Sequence, residues 1–295
     1  MAKTIGLIGY PVRHSISPYF QQSALDYYNL DVRYDAWEVR PEDLEVAASR
    51  LRNLRYLGAN VTIPYKESVI PLLDELDEWA TVVGAVNTIV RDKDRLVGFN
   101  TDSYGFLKAL YQDGNFDPED KHVVILGAGG AASAVSFALA QKKVNSITVI
   151  NRTLGRAQRL IDRLEHFIAS QAIVSGRSAI KLNALPWQVL SSRETLPYCH
   201  LLVNCTAMGT RYGSLEGDFP LGSNVIPEGI MVYDLVYNPP LTPLLQQSQE
   251  AGASILGGLP MLVYQGAASL QLWTGADAPV AFMMGKAKEA LQSLP

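Results

Sequence analysis

Cysteine is nearly missing from this chain: two in 295 residues, Cys199 and Cys205. A pair that close, the second inside an apolar run, makes no disulfide framework and lacks the spacing of a zinc site. The four histidines are scattered, so they offer no metal cluster. Long hydrophobic runs are missing as well; none approaches the ~18 residues a membrane-spanning helix needs. Charge of one sign is not concentrated anywhere. The net charge is -4 and no basic stripe is interleaved with aromatics, which argues against nucleic acid as the main partner. The chain enters an apolar strand at residue 5, too early for a signal peptide. These absences point to a reducing, cytoplasmic setting with no membrane contact; the working form is expected to be a monomer or homodimer.

What is present is an ordinary globular mix, 48% hydrophobic and 18% charged, in a chain long enough for two moderate domains. Short apolar runs at 5–8, 32–39 and 56–63 read as strands. Ser17-Pro18 reads as an N-cap followed by proline at the first helical position, Pro41-Glu42-Asp43 opens another helix, and a helical stretch follows Tyr65. Residues 87–90 and 95–99, split by the polar Arg91-Asp92-Lys93-Asp94, predict a hairpin. A helix from Thr101 to about Gln112 leads into a turn-rich linker, 113–118, where a domain boundary is expected.

Beyond it the order is strand 123–126, helix 131–141, strand 146–150, helix 153–167, then strands at 180–182, 201–205 and 231–236. That succession predicts a parallel sheet with right-handed crossovers. A long Gly- and Pro-rich loop is expected over 209–229, of a length usually tied to function. Thr242-Pro243 reads as a cap and first helical residue, Gly252 as a stop, and the last forty residues as two helices. The fold class is α/β, with at least one antiparallel element.

Gly127-Ala128-Gly129-Gly130-Ala131-Ala132 sits directly after a strand and before a helix. Gly127, Gly129 and Ala132 fit the G-x-G-x-x-G/A pattern, in which glycines let the backbone approach a pyrophosphate and the helix N-terminus faces it. The same residues would also serve a plain tight turn. At the end of the following strand, an NAD site usually carries an acid for the ribose 2′-hydroxyl. Here stand Asn151-Arg152-Thr153, with Arg156 one turn on. A guanidinium and a hydroxyl suit a 2′-phosphate, which favours NADP. Arg152 could equally be a solvated arginine and Thr153 a cap.

Lys66 and Asp102 both lie at element edges. By residue type alone they read as structural, a solvated first-turn lysine and a helix cap. Ser15-Ile16-Ser17-Pro18, Asn60-Val61-Thr62-Ile63-Pro64-Tyr65-Lys66, Gly84-Ala85-Val86-Asn87-Thr88 and Gly98-Phe99-Asn100-Thr101-Asp102 alter that reading. So do the glycine turn, Asn151-Arg152-Thr153 and the run from Gly257 to Gln265, Gly-Gly-Leu-Pro-Met-Leu-Val-Tyr-Gln. Together they resemble the shikimate/quinate dehydrogenase family over nearly the whole chain.

The resemblance implies reversible, NADPH-dependent reduction of 3-dehydroshikimate to shikimate in the route to aromatic amino acids. It makes Lys66 and Asp102 the catalytic pair. Ser15 and Ser17 would hold the substrate carboxylate. Thr62, Asn87, Tyr237 and Gln265 would grip its ring and hydroxyls, with Asn60 a weaker candidate. Thr206, Met208, Gly258 and Met261 would lie on the nicotinamide side. An N-terminal α/β substrate domain, 1–104, would be rejoined by C-terminal helices from about 258 to 295, with a Rossmann-type NADP domain, 105–257, inserted between. A quinate enzyme, a catalytically silent ligand sensor and a folate-type NADP dehydrogenase are the competing readings.

Overall fold

The computed structural model describes residues 3–175, 180–191, 198–213, 215–217, 221 and 225–294. The chain forms two compact units, Met1–Phe106 with Leu262–Pro295, and Leu107–Met261.

The first unit opens with β1 (Lys3–Gly9), α1 (Ser17–Tyr27), β2 (Val32–Glu38), α2 (Leu44–Arg50) and β3 (Tyr56–Val61). β4 (Glu75–Leu76), α3 (Glu78–Val83), β5 (Thr88–Asp92), β6 (Arg95–Phe99) and the start of α4 (Asp102–Gln112) follow. The sheet order is β2-β1-β3-β5-β6-β4. β1 runs parallel to β2 and β3, whereas β5 is antiparallel to β3 and β6. β5 and β6 form the expected hairpin, turning at Lys93 in the left-handed region (φ 55°).

Two local expectations fail here. Ser17 is not the cap of α1 but its first residue; Ile16 holds the cap position, and the Ser17 N–H donates to Ser15 Oγ at 3.3 Å. The stretch after Tyr65 is turns and a short 3-10 segment at Ile70–Leu72, not an α-helix. Pro71 lies inside that segment and cannot supply the N–H that a continuing helix needs.

In the second unit, β7 (His122–Leu126), α5 (Gly130–Gln141), β8 (Ser146–Asn151), α6 (Leu154–Ser175) and β9 (Lys181–Pro186) come first. β10 (Leu201–Asn204), β11 (Met231–Asp234), α7 (Pro243–Glu250) and β12 (Ser254–Leu256) complete it. All strands are parallel, in the order β12-β11-β10-β7-β8-β9. Strands buried on both faces read as continuous apolar runs, as His-Val-Val-Ile-Leu does, whereas in Ser-Ile-Thr-Val-Ile-Asn the polar Ser146 and Thr148 are buried as well. Their side chains meet Leu202, Val232, Leu244 and Leu245 in one core cluster. Thr242 caps α7 as expected, its Oγ1 accepting from the Leu245 N–H. β10 stops at Asn204, so Cys205 lies outside the strand. Of the long loop expected over 209–229, residues 214, 218–220 and 222–224 lie outside the described residues.

The last two helices are α8 (Leu259–Thr274) and α9 (Val280–Ser293). From Leu262 on they pack with the first unit: α9 lies against α1, and Gln21 on α1 donates to the Gly266 carbonyl on α8 at 2.9 Å. A Cβ at Gly266 would come within 2.8 Å of the Phe20 ring, so only glycine permits this approach.

Candidate active site

The carboxyl ends of β1, β3 and β6 and the amino end of β5 meet at one edge of the first sheet. Ile8 pairs with Val61, Asn60 with Thr88 and Thr88 with Phe99. Ligands of open α/β sheets bind beyond such carboxyl ends, because the connecting loops converge there. Thr62 leaves β3 at this edge, Asn87 enters β5, and Asp102 follows β6 at the first turn of α4. Gly9 ends β1; a Cβ on it would strike Thr62 Cγ2 and Val12 Cγ1, so the loop carrying Ser15 folds tightly over the same edge.

Lys66 reaches this edge from the turn after β3. Its Nζ lies 2.6 Å from Asp102 Oδ2, with the side chains 16% and 4% exposed. The other carboxylate oxygen, Oδ1, accepts from Asn87 Nδ2 at 3.0 Å. Asp102 is therefore not the cap it resembled. Asn100 takes that work, its side-chain oxygen accepting from the Ser103 N–H and its amide donating to Ala85. An aspartate in the first helical turn also gains from the helix dipole.

Asn87 Nδ2 lies within reach of three acceptors: Thr101 Oγ1 at 2.8 Å, Gln265 Oε1 at 2.9 Å and Asp102. With two hydrogens it serves two at a time. Its Oδ1 accepts from the Thr101 N–H at 2.8 Å. Behind it, Ser269 on α8 touches Thr88 (2.7 Å), Thr101 (3.2 Å) and Asn60 (3.1 Å), and the Tyr34 hydroxyl donates to Asn60 Oδ1 at 2.7 Å. Burial drives the Tyr34 phenol far up, so it stays a donor. The structure thus unites Lys66, Asp102, Asn87 and Gln265 in one hydrogen-bonded cluster. Thr62 leaves β3 at the same edge, and Ser15 and Ser17 lie on the loop after β1 and at the start of α1. Tyr34, Thr88, Thr101 and Ser269 escape a sequence reading. Tyr34 and Thr88 leave only the trace of a polar group within a strand, as Asn60 does; Thr101 lies between β6 and α4 and Ser269 within α8, where a lone hydroxyl gives no signal.

In the second unit the strand order reverses between β7 and β10, and the glycine turn sits at that switch point. Gly127 has φ +103°, which disfavours a side chain, and a Cβ there would lie 3.2 Å from Thr206 Cγ2. Gly129 occupies the cap position of α5 with open space where its Cβ would be. The N–H groups of the first turn, from Gly130 and Ala131 on, have no intrahelical partner. Ala128 is half-buried beside them. Asn151 ends β8 and its amide donates to the Thr153 carbonyl at 2.9 Å; Arg152, Thr153 and Arg156 are exposed.

Thr206 and Met208 lie on the loop after β10. The Thr206 N–H and hydroxyl both donate to Asn204 Oδ1, and the Met208 N–H donates to Thr206 Oγ1. Tyr237 follows β11, half-buried. Gly258 backs onto the same segment; a Cβ there would lie 2.1 Å from the Leu235 carbonyl oxygen. Met261 is buried. No group of metal-binding side chains occurs among the described residues, and no helix among them is long and apolar enough to cross a membrane.

An all-parallel sheet in this order, with a glycine turn at its reversal, is the dinucleotide-binding architecture of dehydrogenases, and the second unit belongs to that class. Residues 7–89 match the family model of the shikimate dehydrogenase substrate binding domain, 111–182 that of shikimate / quinate 5-dehydrogenase, and 258–288 that of the shikimate 5'-dehydrogenase C-terminal domain. The shikimate dehydrogenase (NADP(+)) of Methanopyrus kandleri is 42% identical, over 98% of this chain and 96% of its own. The structure of shikimate 5-dehydrogenase from Thermus thermophilus, in complex with NADP(H) and shikimate, superposes with a TM-score of 0.82 at 35% identity, covering 98% of this chain and 100% of that one. Quinate dehydrogenase from Corynebacterium glutamicum, in complex with NAD, also has a TM-score of 0.82, at 28% identity and 99% coverage of both chains. The chain belongs to the shikimate dehydrogenase family.

Proposed function

We propose that this protein catalyses the reversible reduction of 3-dehydroshikimate to shikimate with NADPH, with Lys66 as general acid and base and Asp102 as its partner. The observation that carries this reading is the 2.6 Å contact between a lysine and a carboxylate, both largely shielded, at the carboxyl edge of the first sheet. Residues 1–104, completed by about 258–295, act in this reading as the substrate-binding and catalytic domain, and 105–257 as the NADP-binding domain.

The residues present fit the cofactor. Gly127 frees the backbone, Gly129 leaves open space beside the α5 N-terminus, and no acid stands at Asn151-Arg152-Thr153 to repel a 2′-phosphate. Residues Gly127, Ala128, Gly129, Gly130 and Ala131 would hold the pyrophosphate through backbone N–H groups. Asn151, Arg152, Thr153 and Arg156 would hold the 2′-phosphate; Thr206, Met208, Gly258 and Met261 would face the nicotinamide. When bound, NADPH supplies the hydride.

The chain's own residues handle the proton. In the reductive direction the Lys66 ammonium donates to the carbonyl oxygen as charge builds there. Asp102 keeps the ammonium aimed, and Asn87 keeps Asp102 aimed. In the oxidative direction neutral Lys66 accepts the hydroxyl proton. Ser15 and Ser17 offer short donors to the substrate carboxylate, and Thr62, Asn87, Tyr237 and Gln265 bind its hydroxyls and ring.

The test is shikimate oxidation by purified protein, followed at the nicotinamide absorbance band with NADP+ and NAD+ side by side, and with quinate as a second substrate. Turnover of shikimate with NADP+ well above every other combination is expected. Binding of both ligands without turnover would reduce the protein to a sensor, and preference for quinate with NAD+ would replace the reading.

A further inference from the structure

Asp234 ends β11 fully buried, and among the described residues no cation bonds to its carboxylate. Oδ1 accepts from Asn204 Nδ2 at 2.9 Å and from the Val236 N–H at 3.0 Å, and Oδ2 from Thr242 Oγ1 at 2.6 Å. Burial raises its carboxyl to about 6, while these three donors act in the opposite sense. A carboxylate is costly here, yet the fold spends three donors on it.

Each donor leads to a different piece of backbone. Asn204, oriented by Asp234, turns its own oxygen to the N–H and hydroxyl of Thr206, and Thr206 takes the Met208 N–H. Val236 begins the segment that carries Tyr237 and that closes on Gly258, whose N–H donates to the Val236 carbonyl at 3.1 Å. Thr242 starts α7. Thr206 also packs against Gly127, so the same chain of bonds reaches the glycine turn.

We infer that Asp234 is a positioning residue for the nicotinamide end of the cofactor site, holding the loops after β10 and β11 in one geometry through Asn204, Val236 and Thr242. The inference rests on the reading of Thr206, Met208 and Gly258 given above. Asp234 touches no ligand itself. An amide at this place keeps the volume but has one acceptor oxygen in place of two: with it toward Asn204 and Val236 the Thr242 hydroxyl loses its acceptor, and turned the other way its NH2 stands against the Asn204 amide and the Val236 N–H, so the three segments no longer share one anchor.

The experiment compares the affinity of NADP+ with that of adenosine 2′,5′-bisphosphate, which lacks the nicotinamide half, by titration calorimetry. Asp234→Asn, checked as folded by circular dichroism, should weaken NADP+ at least tenfold and change the bisphosphate less than twofold. Equal losses for both ligands, or none for either, would overturn the inference. Should Asp234→Asn not fold, Asn204→Ala, which removes the bonds from Asn204 to both Asp234 and Thr206 and leaves Val236 and Thr242 on the carboxylate, must show the same split, and its absence overturns the inference as well. Met208→Ala separates the two levels. If it leaves NADP+ affinity untouched, the reading of that loop falls; if it weakens NADP+ while Asp234→Asn does not, only the role of Asp234 falls.

Discussion

Asp102 and Asp234 both stand at the carboxyl edge of a sheet, one in each unit, and both are buried. Asp102 shares its site with an ammonium at 2.6 Å, and that ammonium keeps some solvent access. Among the described residues Asp234 has only neutral donors, and it has no exposure at all. In the proposed reading, the difference separates a carboxylate that steers a moving proton from one that fixes a shape. A charge partner with a way out can exchange protons with a ligand. A sealed carboxylate with an amide, a backbone N–H and a hydroxyl can only hold its neighbours in place.

That contrast can be broken in three ways. The largest effect belongs to the ion pair. Lys66→Ala should lower kcat by ~10²–10⁴ with a smaller change in KM, because in the proposed reading it removes the proton donor and not the substrate grip. Steady-state kinetics on a variant with an unchanged melting curve decide it, and near-normal turnover would take Lys66 out of the chemistry.

Next comes the cofactor's far end. Arg152→Ala should cost NADP+ roughly 1.5–3 kcal/mol, about tenfold or more in affinity, and leave NAD+ nearly unaffected. Equal losses for the two nucleotides would mean that this exposed guanidinium does not read the phosphate.

The smallest effect is on stability. The folded Asp234 carboxyl titrates at about 6, above its ordinary 3.8, so between these values the native state binds a proton that the unfolded chain releases. Its unfavourable contribution at neutral pH therefore fades as pH falls through 6 toward 4. The melting temperature of the native protein should rise relative to Asp234→Asn by a few degrees from pH 7 to pH 5. A difference that stays constant over that range would show the carboxylate to be no burden when ionised. His200, whose titration burial, His122 and Lys121 push down, is common to both proteins and cancels in the comparison.

Legibility in the sequence follows the range of the interactions. The glycine turn is readable because its requirement is local: a positive φ at Gly127 and an open helix N-terminus three residues on. Thr242-Pro243 is readable for the same reason. Ser17 misleads by one residue, since a Ser-Pro pair scores as cap and first position while Ser15 does the bonding. The turn after Tyr65 misleads because a few helix-compatible residues cannot show that Pro71 breaks them. Gln265 and Asn87, 178 residues apart, share a hydrogen bond that no spacing rule could foresee.

Periodicity, glycine placement and the lack of an acid after the second strand of the parallel sheet were enough, unaided, to define an α/β chain with a dinucleotide turn, because backbone sterics and strand burial act between near neighbours. Which polar residues converge was decided only on folding. Lys66 with Asp102, Asn87 with Gln265, and Asp234 with Asn204 and Thr242 meet because parallel strands deliver distant loops to one edge, and there the need to satisfy every buried donor and acceptor selects the partners.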